Sequence, residues 1–221
     1  MSERRAAFLI VPALVAAACG SPEARVVDQY FNALKVNDQQ TLTSFALVGF
    51  DKKVDSWAVK SVGEETRIAA TLPDLVSKVS DLEAQRAANK KEAQTYSLNN
   101  YSEIERVREI EKKAGRVPAN LQSVAEAWKK YNDTDRELAK AVADAKEAVD
   151  KERRNAVLSV GNRDDVDSMT GEVVSKRLEV DLTIGGQVHP YVMTLRKYDV
   201  TISTGPRIVS KWVVQSIEPK A

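Results

Sequence analysis

The sequence predicts an α+β fold in which a curved antiparallel sheet packs on N-terminal helices and a long antiparallel helical hairpin is inserted between strands. Three observations carry this. From Glu64 to Asn155, 92 residues hold one glycine, Gly115, and two prolines, Pro73 and Pro118, with 18 basic and 18 acidic side chains. That is the composition of long solvated helices. Residues Leu178 to Ile184 alternate strictly and run into Gly185-Gly186, a half-buried strand followed by a two-residue turn. Glu23 to Val36 places Val26, Val27, Tyr30, Phe31 and Leu34 on one face, an amphipathic helix.

In chain order, Arg4-Arg5, an apolar run from Ala6 to Val15 and the small residues Ala16-Ala17-Ala18 have the charged, apolar, small-residue order of an export signal over 1–18. The run falls short of the about 20 apolar residues that span a bilayer. Residues 19–22 read as a tether. The amphipathic helix follows, Asn37-Asp38 breaks it and caps the next, which carries Leu42 and Phe45, and Trp57, Val59 and Ser61 alternate as a strand.

Between Glu64 and Asn155, steps of three and four give Leu72, Leu75, Val79, Leu82, Arg86, Asn89, Ala93, Tyr96, Asn100, Glu103, Val107 and Ile110. After Gly115 and Pro118 the same steps give Leu121, Val124, Trp128, Tyr131, Asp135, Leu138, Val142, Ala145 and Val149. These are heptad seams of a coiled coil, and the glycine and proline supply a stop and a restart. Two helices of about forty residues would reach about 60 Å. With the turn centred on Arg116 to Pro118, Asn100 stands opposite Asp135, Ala93 opposite Val142 and Val107 opposite Trp128. A polar pair in the seam fixes register at a cost in stability. Val142 and Val149 face the polar middle of the first helix and should be thinly covered. Asn100, Trp128, Asp135, Val142 and Val149 are therefore the candidate partner contacts. Past the arm, Leu178 to Ile184, the residues around Tyr191, the run Tyr198, Val200 and Ile202, and a last strand from Ile208 to Ile217 make four or five antiparallel strands. The α+β domain thus spans 23–63 and 156–221, and the hairpin 64–155.

Composition excludes several function classes. With 33 basic and 32 acidic side chains the 221 residues carry a formal charge of +1 at pH 7, so no nucleic-acid partner is expected. One histidine, His189, and one cysteine, Cys19, cannot assemble an imidazole and thiolate metal site or an intrachain disulfide. His189 precedes Pro190 beside a tight turn with no partner at diagnostic spacing, and no phosphate loop or nucleophile elbow occurs. No catalytic residue and no cofactor is expected.

Ala16-Ala17-Ala18-Cys19-Gly20 resembles the lipobox of bacterial lipoproteins, in which the cysteine is acylated and becomes the mature N-terminus. The three alanines also satisfy an ordinary signal peptidase, which would release a soluble periplasmic protein with a spare thiol. The resemblance implies lipidation at Cys19, membrane attachment through its acyl chains, a cell-envelope location and, because Gly20 follows the cysteine, the outer membrane in a Gram-negative cell. Val27 to Leu42, Trp57 to Val62 and Lys211-Trp212-Val-Val-Gln-Ser-Ile217 resemble small bacterial lipoproteins with a nuclear-transport-factor-like (cystatin-like, lumazine-binding-like) domain. That resemblance implies a cone between helix and sheet, which in such proteins is empty, holds a ligand or carries catalysis. The expected role is a lipid-anchored, non-enzymatic envelope protein whose hairpin meets a protein partner or a second copy. The alternative is a small-ligand carrier or minor enzyme that uses the cone.

Overall fold

The computed structural model describes residues 20–202 and 205–220. In chain order the elements are α1 (Pro22–Lys35), α2 (Gln39–Phe45), β1 (Ser56–Val62), β2 (Thr66–Ala69), α3 (Leu72–Asn99), α4 (Tyr101–Lys112), α5 (Ala119–Val160), a 3-10 turn (Val166–Ser168), β3 (Met169–Ile184), β4 (Gln187–Ile202), β5 (Arg207–Val209) and β6 (Val213–Pro219). The fold is α+β with one open antiparallel sheet of order β1-β3-β4-β5, in which β2 also pairs with β3 and β6 with β4. The described residues fall into two compact units, one of 20–66, 175–196 and 212–220, the other of 67–174, 197–202 and 205–211.

In the first unit, helix α1 starts abruptly because the Ser21 hydroxyl accepts the Ala24 N–H at 3.1 Å and Pro22 occupies the first turn. Both features satisfy or remove donors that a helix start leaves open. The expected tether is thus shorter than its sequence range, since Ser21 and Pro22 already belong to the cap. The segment 1–18 and Cys19 lie outside the described residues. The chain leaves α1 through Asn37 at φ 56°, and Asp38 caps α2 by accepting the Thr41 N–H at 3.0 Å. Val27, Tyr30 and Phe31 of α1, Leu178, Val180 and Leu182 of β3, and Met193 and Leu195 of β4 are all buried. The α1 helix is tied to β1 by the Trp57 indole N–H, which donates to Asp28 at 2.8 Å, and by the Phe31 and Trp57 rings 5.3 Å apart. The two edges of the sheet here are blunted, as open edges need to be. The β1 strand carries Lys60 and a register shift between Val59 and Ser61, while Leu47 donates its N–H to the Val214 carbonyl of β6 at 2.9 Å.

In the second unit, Leu72 of α3, Val149 and Ala156 of α5, Val166, Met169 and Val173, and Tyr198 and Val200 of β4 form one buried cluster. The Tyr198 hydroxyl donates to the buried Glu152 carboxylate at 2.8 Å. Arg207 and Arg67 both bind Asp199, and the Arg207 guanidinium above all holds the Asp199 carboxyl down at about 2. A carboxyl depressed in the fold stabilises it above its ordinary value of 3.8, and that contribution is lost as pH falls through about 2. Titration followed by carbon NMR should place the Asp199 midpoint near 2, and Arg207→Ala should move it upward.

Several elements differ from the sequence expectation. The β2 strand, Thr66–Ala69, lies in the stretch read as helix; all four of its residues are exposed, so no burial period marks it. The β3 strand begins nine residues before Leu178, at Met169, because consecutive buried valines, Val173 and Val174, break the period that the eye follows. The β4 strand is continuous over 16 residues. The last strand is split into β5 and β6 at Ser210, whose hydroxyl accepts the Tyr198 N–H at 2.6 Å and so takes a ladder position from the backbone. In the turn after α4 the left-handed residue is Ala114, at φ 51°, and not Gly115. A left-handed alanine costs about 1 to 2 kcal/mol, so Ala114→Gly should raise unfolding stability by about 1 kcal/mol, read by urea denaturation.

Candidate functional site

The site with most to offer chemically lies midway along the long helices of the second unit. Pro73 and Asp74 in the first turn favour the start of α3. The 42 residues of α5 run uninterrupted to Gly161 at φ 91°, about 60 Å at about 1.5 Å per residue. The two helices meet through side chains: Glu83 and Lys146 pair at 2.7 Å, Arg86 and Asp135 at 2.9 Å, and the Tyr96 and Tyr131 rings stand 5.5 Å apart. The Asn89 amide donates to the Tyr131 carbonyl at 3.1 Å. These contacts rise along α3 as they fall along α5.

Here the helices enclose a cleft of about 330 Å³ lined by Asn89, Lys90, Ala93, Gln94, Ser97 and Leu98 of α3 and by Trp128, Tyr131, Asn132 and Asp135 of α5. Its mouth is unusual for a helix surface so rich in charge. Leu98 is 74% exposed. Arg108 of α4 sits over the Trp128 ring at 5.4 Å, a cation–π contact. Of the lining residues, Asp135 is gripped by the Arg86 fork through both carboxylate oxygens, at 2.9 and 3.3 Å. That hydrogen bond first, then its charge and that of Lys90, holds the Asp135 carboxyl below its usual range. Lys129 likewise holds Asp133 down. A lining that joins Leu98, Trp128 and Tyr131 with Lys90 and Asp135 can recognise a side chain with an apolar body and a polar end. It offers no nucleophile and base in register for bond chemistry.

The expected contact residues distribute unevenly. Trp128 and Asp135 both line the cleft. Asp135 pairs with Arg86 instead of Asn100, and the Asn100 amide donates to the Tyr96 carbonyl at 2.9 Å. The physical reason is a break: Asn100 ends α3 and precedes α4, so the seam is not one helix. From Tyr96 to Arg108 the chain advances twelve residues while the partners on α5 retreat by three, from Tyr131 to Trp128. Counting outward from the turn therefore fails below α4. Val142 and Val149, expected to be thinly covered, are buried at 7% and 6% exposure. Arg86 and Asn89 stand in the heptad steps as a polar interruption and Tyr131 as a member of the second seam; the i, i+3 spacing of Arg86 and Asn89 is the signal that they act together. His189 is exposed in its strand. Because Trp128 is half-buried and borders a cavity, Trp128→Ala should cost about 1 to 2 kcal/mol in thermal or chemical unfolding, less than the about 3 to 5 kcal/mol of a tryptophan sealed in a core.

Among the described residues no group of three or more histidine, cysteine, aspartate or glutamate side chains could hold a metal ion, and no helix is long and apolar enough to cross a membrane. Comparison with protein-family models, with curated proteins and with solved structures found no match.

Proposed function

We propose that this is a lipid-anchored protein of the bacterial cell envelope, non-enzymatic, in which α3 and α5 form a coiled-coil hairpin inserted in a nuclear-transport-factor-like domain and serve as an interaction or scaffolding arm. The observation that carries the reading is the mid-arm cleft. An isolated helix pair has no need of Leu98 in water, and an exposed apolar side chain that lines a cavity together with Trp128 marks a contact surface. The acyl chains on Cys19 would attach the protein to the membrane, and α1 begins at Pro22 with Ser21 as its N-cap, so little slack separates anchor from folded domain. The carrier alternative has less support, because Tyr30, Leu178, Leu182, Met193 and Leu195, which would line a cone, are 0% exposed.

Two experiments test this reading. Fatty-acid labelling of cells should mark the wild type and not Cys19→Ala; an unlabelled, released wild type removes the anchor. For the arm, Glu83 and Lys146 are already in contact, so residues 84–144 can be replaced by a short Gly-Ser loop while the cluster around Leu72, Val149 and Ala156 is kept. A photo-crosslinking residue at position 98 should give one discrete product in cells, lost on Trp128→Ala, whereas the same residue at Lys140 should give none. Equal products from both positions, or a normal envelope phenotype from the shortened chain, would overturn the arm's role.

A further inference from the structure

A second depression lies in the first unit. It measures about 420 Å³ and is bounded by the last turn of α1 and the segment 50–55, a size within the range of small-molecule sites. Phe31, Leu34, Phe50 and Val54 supply its apolar lining. The Phe31 and Phe50 rings meet edge to face at 6.3 Å, and Phe50 meets Tyr191 in the same way at 5.4 Å. Phe31 is 1% exposed, whereas Phe50 is only partly covered and shows a ring to the depression.

Charge stands on the rim. Lys35, Lys52 and Lys53 face Asp51 and Asp55 there, a surplus of one positive charge. Two of these groups are committed: Lys52 donates to the Tyr191 hydroxyl at 3.2 Å, and Asp55 accepts the Gly186 N–H at 3.3 Å. Lys35 and Lys53 have no ion-pair partner among the described residues. They can turn their ammonium groups toward a bound anion at little cost, since long flexible side chains on the rim need break no existing bond.

We infer that this depression binds a small amphipathic monoanion, an aromatic sulfonate or carboxylate, with its flat body on Phe50 and its charged end between Lys35 and Lys53. The ring contributes area and offset stacking, and the two ammonium groups contribute charge. A neutral analogue keeps the first and loses the second, and a dianion gains little because Asp51 stands on the same rim. The site is independent of the helical arm.

The test uses the purified chain, naphthalene-2-sulfonate and the neutral 2-naphthylmethanol, with binding read by calorimetry and by the emission of Trp57, whose ring neighbours Phe31 at 5.3 Å. The sulfonate should bind at one site per chain at least about tenfold more tightly than the alcohol, a difference of about 1.4 kcal/mol, and should weaken as salt is raised. The double variant Lys35→Gln/Lys53→Gln, both exposed, should unfold at the wild-type temperature and lose about tenfold in sulfonate affinity while the alcohol is unaffected. Absence of saturable sulfonate binding, equal affinity for both probes, or unchanged affinity in the double variant would each overturn the assignment. Loss of the arm in the shortened chain should leave all these values as they are, so failure here and failure of the arm reading are separate results.

Discussion

Replacing Gly171 by alanine should destabilise the second unit by about 3 kcal/mol, combining a disfavoured backbone region with a steric collision. Gly171 sits in β3 at φ +138°, and a Cβ built there would lie 2.5 Å from the Asp199 carbonyl oxygen and 2.8 Å from the Val200 Cα. Both atoms are backbone in the neighbouring strand and cannot rotate aside. Relief would require β3 and β4 to separate where Met169, Val173, Tyr198 and Val200 are buried together. The same glycine carbonyl accepts the Ala70 N–H at 2.9 Å, so the movement would also loosen β2. Urea denaturation of Gly171→Ala against Gly185→Ala makes the comparison. Gly185 has φ +59° but nothing within 4 Å of its added Cβ, so its variant should show the backbone cost alone, about 1 kcal/mol. Equal losses for the two would mean that strand contact at Gly171 contributes nothing.

Gly171 also shows where sequence patterns stop being informative. The amphipathic face of α1, the alternation of Leu178 to Ile184, the paired glycines of the turn and the long helical stretch each follow from local periodicity, and the α+β class follows from them. A close approach of two backbones leaves no periodic trace, and neither do the exposed residues of β2. Nor does Ser210, whose hydroxyl replaces a ladder hydrogen bond and divides the last strand. In α3, α4 and α5 residue types are readable from the sequence and register is not. Asn100 has the side chain of a buried polar seam residue, yet its amide turns back to Tyr96, and that local choice shifts every pairing beyond it. Trp128 and Asp135 still come together at the cleft, because both lie on the α5 face that the heptad steps define.

Lys176→Met should cost about 3 kcal/mol or more, the effect of stripping one partner from a buried ion pair. Glu23, in the first turn of α1, is 6% exposed, and its carboxylate accepts a hydrogen bond from Lys176 at 2.6 Å. The Lys176 ammonium also lies 3.5 Å from Glu65 and 5.8 Å from the centre of the Trp212 ring. Burial alone would raise the Glu23 carboxyl, but the Lys176 hydrogen bond, the helix start and the Lys176 charge together bring it below its ordinary 4.5. The Glu23 hydrogen bond, opposed by burial, raises Lys176 above its ordinary 10.5. For the depressed carboxyl the contribution to stability is present above 4.5 and is lost as pH falls through the folded value; for the raised amine it is present below 10.5 and is lost as pH rises through the folded value. The pair therefore stabilises the fold across the window between them. Unfolding free energies measured across pH should show an acid decline in the wild type that is smaller in Glu23→Gln. In Glu23→Gln/Lys176→Met, where neither charge is left buried alone, most of the single-variant loss at neutral pH should return. A double variant no more stable than Lys176→Met would mean that the lysine acts through Trp212 and Glu65 and that Glu23 does not depend on it. The position of the pair gives the result its weight: Glu23 is the second residue of the first helix and Lys176 lies in β3, so the pair ties the start of α1 to the sheet.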